Sequence, residues 1–249
     1  MKKTLLAAAL LSSLTSFGAV AADKAPEPSY TLTGNIGLVS DYRFRGISQS
    51  NKKPAIQGGL DLALANGLSF GTWTSNVSSW ANTGGQQEVD LYGGYARDVF
   101  GATLSIGGIQ YWYPRNTPAV SQNTFEYYIG VAYGPFAYKL NKANGNWFGE
   151  AASGASYHDF SLSYAVSEKL GAKLHIGRQT LNEDDASRNI GFTDTSLSLT
   201  YDLGNSLSAG LTASRVKLKD KTDGEGFFTA TNGKKLYESG LVASITKTF

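Results

Sequence analysis

From Tyr30 onward the chain alternates. Leu32, Ile36, Leu38, Tyr42 and Phe44 share one face with Tyr30, while Thr33, Asn35, Asp41, Arg43 and Arg45 share the other. A period of two is the strand signature, because successive side chains leave the pleat on opposite sides. Ile56, Leu60, Leu62 and Leu64 then oppose Gln57, Gly59 and Asp61, and this run stops at Asn66-Gly67, a strong hairpin signal. The pattern recurs in Leu68 to Val77, in Val89 to Tyr95, in Leu104 to Trp112 and in Phe125 to Tyr133. It returns in Phe136 to Leu140, Phe160 to Tyr164, Ala172 to Ile176, Leu197 to Tyr201 and Leu207 to Ala213. A last strand carries Tyr237, Leu241, Ala243, Ile245 and Phe249, for a predicted total of about twelve.

The connections between these strands form a second pattern. Short ones near 65–67, 97–101, 134–135, 165–170 and 202–206 alternate with longer polar ones near 46–55, 78–87, 113–122, 141–154, 180–192 and 217–235. Outer-membrane barrels have short periplasmic turns and long extracellular loops, so the order fits a transmembrane, antiparallel, up-and-down all-β barrel. An even strand count places both termini on the periplasmic side. About ten residues at roughly 3.3 Å each, tilted by about 40°, project to about 25 Å, the height of a lipid-facing band. Tyr30, Phe70, Tyr95, Tyr133, Phe136, Tyr164, Tyr201 and Phe249 fall beside the short turns or a terminus, as an interfacial aromatic girdle would. The terminal Phe249 closes an alternating strand and resembles the assembly signal of bacterial outer-membrane proteins. Lys247 breaks the parity, but near the interface an ammonium on the lipid side costs only about 0–1 kcal/mol and can reach the headgroups.

Composition adds the compartment. Lys2 and Lys3, the apolar run Leu5 to Leu14 and the small residues Ala19-Val20-Ala21-Ala22 read as a cleavable signal peptide over residues 1–22. Residues 23–29 then form a short linker and 30–249 the barrel. Removing Lys2 and Lys3 takes the 22 basic residues to 20, equal to the 20 acidic ones, so charge offers no argument for a nucleic-acid partner. With no cysteine, disulfide and thiol chemistry are excluded. No later stretch is long and apolar enough for a membrane helix. Composition alone would also allow a soluble sandwich; the loop alternation argues against one.

The stretch Val39-Ser40-Asp41-Tyr42-Arg43-Phe44-Arg45-Gly46-Ile47-Ser48-Gln49-Ser50 resembles the N-terminal signature of the TorF porin family, also catalogued as a bacterial family of unknown function. The resemblance implies an outer-membrane barrel with a pore role and brings no substrate.

Strand parity turns Asp41, Arg43, Arg45, Asp61, Asp90, Glu126, Asp159, Lys173, His175 and Glu238 inward, with Tyr92, Tyr111 and Tyr128. Charge is tolerable there because water or a partner solvates it. Opposed walls of acid and base would set a transverse field across a pore. The competing reading is that Asp41, Arg43 and Arg45 pair with nearby carboxylates and brace or plug the barrel. Trp80, Tyr113, Trp147 and Phe148 could constrict the mouth, although a place at the outer membrane surface is the stronger expectation. An enzyme is disfavoured. There are two histidines, His158 and His175, and adjacent His158 and Asp159 face opposite ways. No cofactor is expected, nor a transition-metal site. The acidic loops Glu183-Asp184-Asp185 and 220–225 lack EF-hand spacing. Expected partners are membrane lipids, the outer-membrane assembly machinery and small hydrophilic solutes. A homo-oligomer would leave no readable mark. The leading function is passive diffusion of such solutes or ions. The alternative is a plugged structural or adhesive barrel acting through its loops.

Overall fold

The computed structural model describes residues 29–78, 86–114, 121–150, 152, 154–181 and 189–249. The signal peptide, most of the linker, Trp80 and Glu183-Asp184-Asp185 lie outside them. The wall is a closed antiparallel barrel of twelve strands. In chain order these are β1 (Tyr30–Val39), β4 (Ala55–Leu64), β5 (Leu68–Asn76), β6 (Gln87–Val99), β7 (Ala102–Trp112) and β8 (Thr124–Tyr133). They continue as β9 (Phe136–Ala143), β10 (Ser156–Ala165), β11 (Leu170–Thr180), β12 (Phe192–Gly204), β13 (Leu207–Leu218) and β14 (Gly240–Thr248). Each pairs with its chain neighbours, and β1 pairs with both β4 and β14. A short hairpin of β2 (Arg43–Phe44) and β3 (Ile47–Ser48) stands apart from the wall.

Alternation builds the wall in the expected sense. Leu32, Ile36, Ile56, Leu60, Leu91, Ile106, Ile129, Leu174, Leu197 and Ile245 are all exposed on the outer face. Apolar surface of this extent is not left bare by a water-soluble monomer. All eight aromatics of the expected girdle are exposed too, and they ring the short-turn rim. Closure leaves no unpaired edge, because every wall strand has two neighbours. At the seam, the Gly34 and Phe249 backbones exchange hydrogen bonds of 2.8 and 2.9 Å. The Phe249 ring also occupies the space where a Cβ on Gly34 would stand. Lys247 points outward and donates from Nζ to the Asn205 carbonyl of the β12–β13 turn, so its charge ends at the rim.

Two sequence expectations fail at strand ends. Tyr42 and Phe44 do not continue the outer face of the first strand. The wall stops at Val39, and both rings turn into the barrel, where Tyr42 is buried. Glu238 does not line the lumen, because β14 begins only at Gly240 and the carboxylate sits in an exposed loop segment. The same loop carries a short helix of about two turns, α1 (Lys221–Phe227), capped by Asp220, whose carboxylate accepts from the Asp223 amide at 3.0 Å.

Candidate functional site

After Val39 the chain leaves the wall and folds into the barrel as the β2–β3 hairpin. Its turn is Arg45-Gly46, with φ of 49° and 79°. Two consecutive positive φ values match the right-handed twist of a two-residue hairpin. Glycine takes this conformation freely, whereas Arg45 is strained in it. Asp41 organises the base of the hairpin by accepting from Arg43 Nε at 2.8 Å and Ser48 Oγ at 2.6 Å. Tyr42 donates to Glu88 at 3.0 Å, and its ring packs 5.2 Å from that of Trp73. The hairpin is tied to the β13–β14 loop as well. The Ser48 amide donates to the Leu236 carbonyl at 3.0 Å, Arg43 donates to the Glu238 carbonyl at 2.7 Å, and Lys52 pairs with the Glu238 carboxylate at 2.5 Å.

At the tip, Arg45 reaches the opposite wall. Its guanidinium makes a forked contact with Glu126 of β8 at 2.5 and 3.0 Å, and donates to Gln179 of β11 at 2.8 Å. It lies 4.6 Å from the Phe44 ring centroid and 4.1 Å from that of Tyr157. Burial opposes the charge, and the Glu126 carboxylate outweighs it, so Arg45 is held more firmly protonated than a free arginine. The hairpin therefore spans the lumen from the β1 side to the β8–β11 side.

The loop aromatics close over this strap. Tyr113 and Trp147 are buried, and Phe148 packs 5.6 Å from Phe44, 5.1 Å from Tyr111 and 5.4 Å from Trp147. The expectation that these side chains lie at the outer membrane surface is overturned. Phe44 and Ile47 bring apolar surface into the lumen, and the loop rings gain more by covering it. Phe192 and Phe228, in edge contact at 5.5 Å, extend the same packing toward α1.

Below the hairpin, toward the short turns, lies a cavity of about 530 Å³. On the β12–β14 side it is lined by Ser196, Ser198, Thr200, Thr212, Ser244 and Thr246. On the β9–β11 side stand Lys139, Asp159, Lys173 and His175. His175 is held at both nitrogens, with Asp159 at 3.0 Å and Asp194 at 2.8 Å, while Tyr157 donates to Asp194 at 2.8 Å. Both ring nitrogens are thus engaged by carboxylates. A second, smaller crevice of about 40 Å³ lies on the loop side. Phe44 and Arg45 line both spaces and form the septum between them.

The other inward candidates stand on the wall. Tyr92 donates to Asp61 at 2.6 Å, Asp90 and Tyr111 are buried around the hairpin, and the Lys139 Nζ sits 5.5 Å over the Tyr128 ring. Tyr128 lies flat against the wall because Gly107 leaves room for it: a Cβ there would stand 2.4 Å from its Oη and 2.3 Å from the Gly93 carbonyl oxygen. The sequence reading omitted Lys139, Tyr157, Gln179 and Asp194. All four lie on the inward parity of their strands, so the alternation could have found them.

Residues 23–249 match a family described as a bacterial protein of unknown function, Gcw_chp. No sequence among curated proteins is significantly similar. Among solved structures, the barrel is similar to the KdgM porin, with a TM-score of 0.54 at 6% identity, covering 88% of this chain and 99% of the other. It is also similar to the NanC porin, with a TM-score of 0.51 at 11% identity, covering 88% of this chain and 98% of the other. At such identities the likeness is one of fold.

Proposed function

The chain belongs to this Gcw_chp family, and from its geometry we propose that it is an outer-membrane, porin-like barrel passing small hydrophilic solutes or ions, with the β2–β3 hairpin as internal gate. The observation that carries the reading is the cavity of about 530 Å³, lined by hydroxyls and charge and ending at the Phe44–Arg45 septum. A barrel needed only for its loops would gain nothing from a wide polar lumen on one side of a thin partition. The porin folds and the likeness of residues 39–50 to the TorF family support the same reading. The outward apolar face sits in the bilayer, with the short turns and both termini periplasmic and the long loops outside. The pore acts passively and without cofactor, and Asp61, Asp90, Glu126, Lys173 and His175 line its path. An exported precursor with residues 1–22 removed accounts for the location.

The occluding hairpin favours one rival, a permanently plugged barrel acting through its loops. Single-channel recording of the folded full chain in planar bilayers separates the two. The gated pore gives brief, reproducible conductance steps that lengthen when the hairpin is weakened. Silence from the wild type and from hairpin variants alike refutes the pore.

A further inference from the structure

The outer face of the barrel is not uniform around its circumference. At the loop-side end of β1, β4–β8 and β14 the outward residues are Leu38, Ile56, Asn76, Gln87, Trp112, Tyr127 and Leu241, none of them charged. On β9–β13 the corresponding band carries Lys142, His158, Arg178, Arg215 and Lys217. The carboxylates of these strands near this level, Asp159 and Asp194, have the opposite parity and face the lumen. The cross-strand register sets the cations side by side. His158 is opposite Arg178, Arg178 is opposite Thr193, and Thr193 is opposite Lys217. Arg215 lies two residues nearer the midline, opposite Thr195. With strands about 4.8 Å apart, the Arg178 and Lys217 stems start about 10 Å from each other across Thr193. Both can reach one group seated above that hydroxyl. Arg178, Arg215 and Lys217 are exposed. None of the three makes an ion pair among the described residues. His158 is oriented by the Tyr138 hydroxyl at 2.9 Å from Nδ1, and that ring packs 4.6 Å from Phe160. Directly below the cations come Phe160, Ile176, Leu174 and Leu197, exposed residues of the apolar band.

We propose that this sector is a binding site for a membrane lipid whose headgroup carries more than one phosphate. Acyl chains lie along the apolar band, and the phosphates are held by Arg178, Arg215 and Lys217, with Lys142 and His158 at the margin. Outward-facing cations that make no ion pair among the described residues, above a lipid-facing band, suit a counter-charge at headgroup height, and phosphate oxygens match the guanidinium fork. One zwitterionic phospholipid would bring a single phosphate already offset by its own ammonium. The inference rests on the membrane placement proposed above and is independent of conduction.

The test is native mass spectrometry of the folded full chain titrated with bisphosphoryl lipid A or with phosphatidylethanolamine. The bisphosphorylated lipid should be retained as a defined adduct and the zwitterionic one should not. Arg178→Gln and Lys217→Gln should each weaken retention about fivefold, and Lys247→Gln, an equal charge loss at the far rim, should leave it unchanged. Equal retention of both lipids, or full retention by the Arg178→Gln/Arg215→Gln/Lys217→Gln triple variant, overturns the site. Displacement by millimolar inorganic phosphate would show a free-phosphate site and overturn the lipid. Failure of the chain to insert into lipid vesicles at all would instead sink the membrane reading itself.

Discussion

Replacing Arg45 with alanine removes the tip of the hairpin and leaves Glu126 alone. Both partners are nearly inaccessible, with side chains 5% and 1% exposed, so the remaining carboxylate loses its forked counter-charge at a largely desolvated position. Breaking such a buried pair costs about 3–5 kcal/mol, chiefly for the orphaned charge. The lost stacking on Phe44 and Tyr157 adds to this. Alanine at φ 49° keeps the backbone strain, so nothing is recovered there. The cost falls on docking of the hairpin, because the wall hydrogen bonds of β1, β4 and β8 do not involve Arg45. At 1.4 kcal/mol per decade the undocked fraction should rise about a hundred- to a few-thousand-fold. Single-channel recording reads this as open probability, and heat-modifiable migration in gels checks that the barrel itself stays folded. Since the cost lies in the unpaired charge, Arg45→Ala/Glu126→Ala should recover most of the closed state. An Arg45→Ala protein with wild-type open probability and an intact barrel would refute the gate.

Further expectations concern the wall, the lumen and the loop tether. Gly107→Ala should lower the barrel's thermal midpoint, at a cost of about 1–3 kcal/mol or more, because the new Cβ meets the Gly93 carbonyl oxygen at 2.3 Å and backbone cannot yield as a side chain can. A midpoint equal to wild type would mean that Tyr128 and the strand relax freely. Lys173→Glu, which reverses a charge lining the cavity, should move the reversal potential in a salt gradient toward cation selectivity; no movement would take Lys173 off the solute path. The hydrogen bond from Lys52 holds the Glu238 carboxyl below its ordinary value. The tether it makes is therefore complete above the ordinary carboxylate range and is lost as pH falls through the lowered value. Carboxyl carbon NMR should show that low midpoint in the wild type and a higher one in Lys52→Gln.

The wall was legible because each of its choices is local. Alternation in Ile56 to Leu64 or Val89 to Tyr95, and a turn at Asn66-Gly67, specify strands wherever the rest of the chain goes. Parity likewise sorted Asp61, Glu126, Lys173 and His175 to the inside, and would have yielded Asp194 and Gln179. It failed where the chain leaves the sheet. Tyr42 and Phe44 keep the period of two past Val39, yet the pairing that would extend the wall is replaced by contacts with Trp73, Glu88 and Phe148. Those partners lie tens to about a hundred residues away in sequence, and no local pattern announces them. Glu238 failed for the same reason in reverse, since Lys52 and Arg43 hold its segment off the sheet.

The partners of the strap also order its assembly in time. Arg45 needs Glu126 and Gln179, Ser48 needs Leu236, and Lys52 needs Glu238, all of them C-terminal to the hairpin and in the second half of the chain. The strap thus cannot seat while the later strands are unformed, and contacts of such long range are slow to form. Full seating of the strap is therefore expected no earlier than closure of the cylinder, late for a segment made among the first.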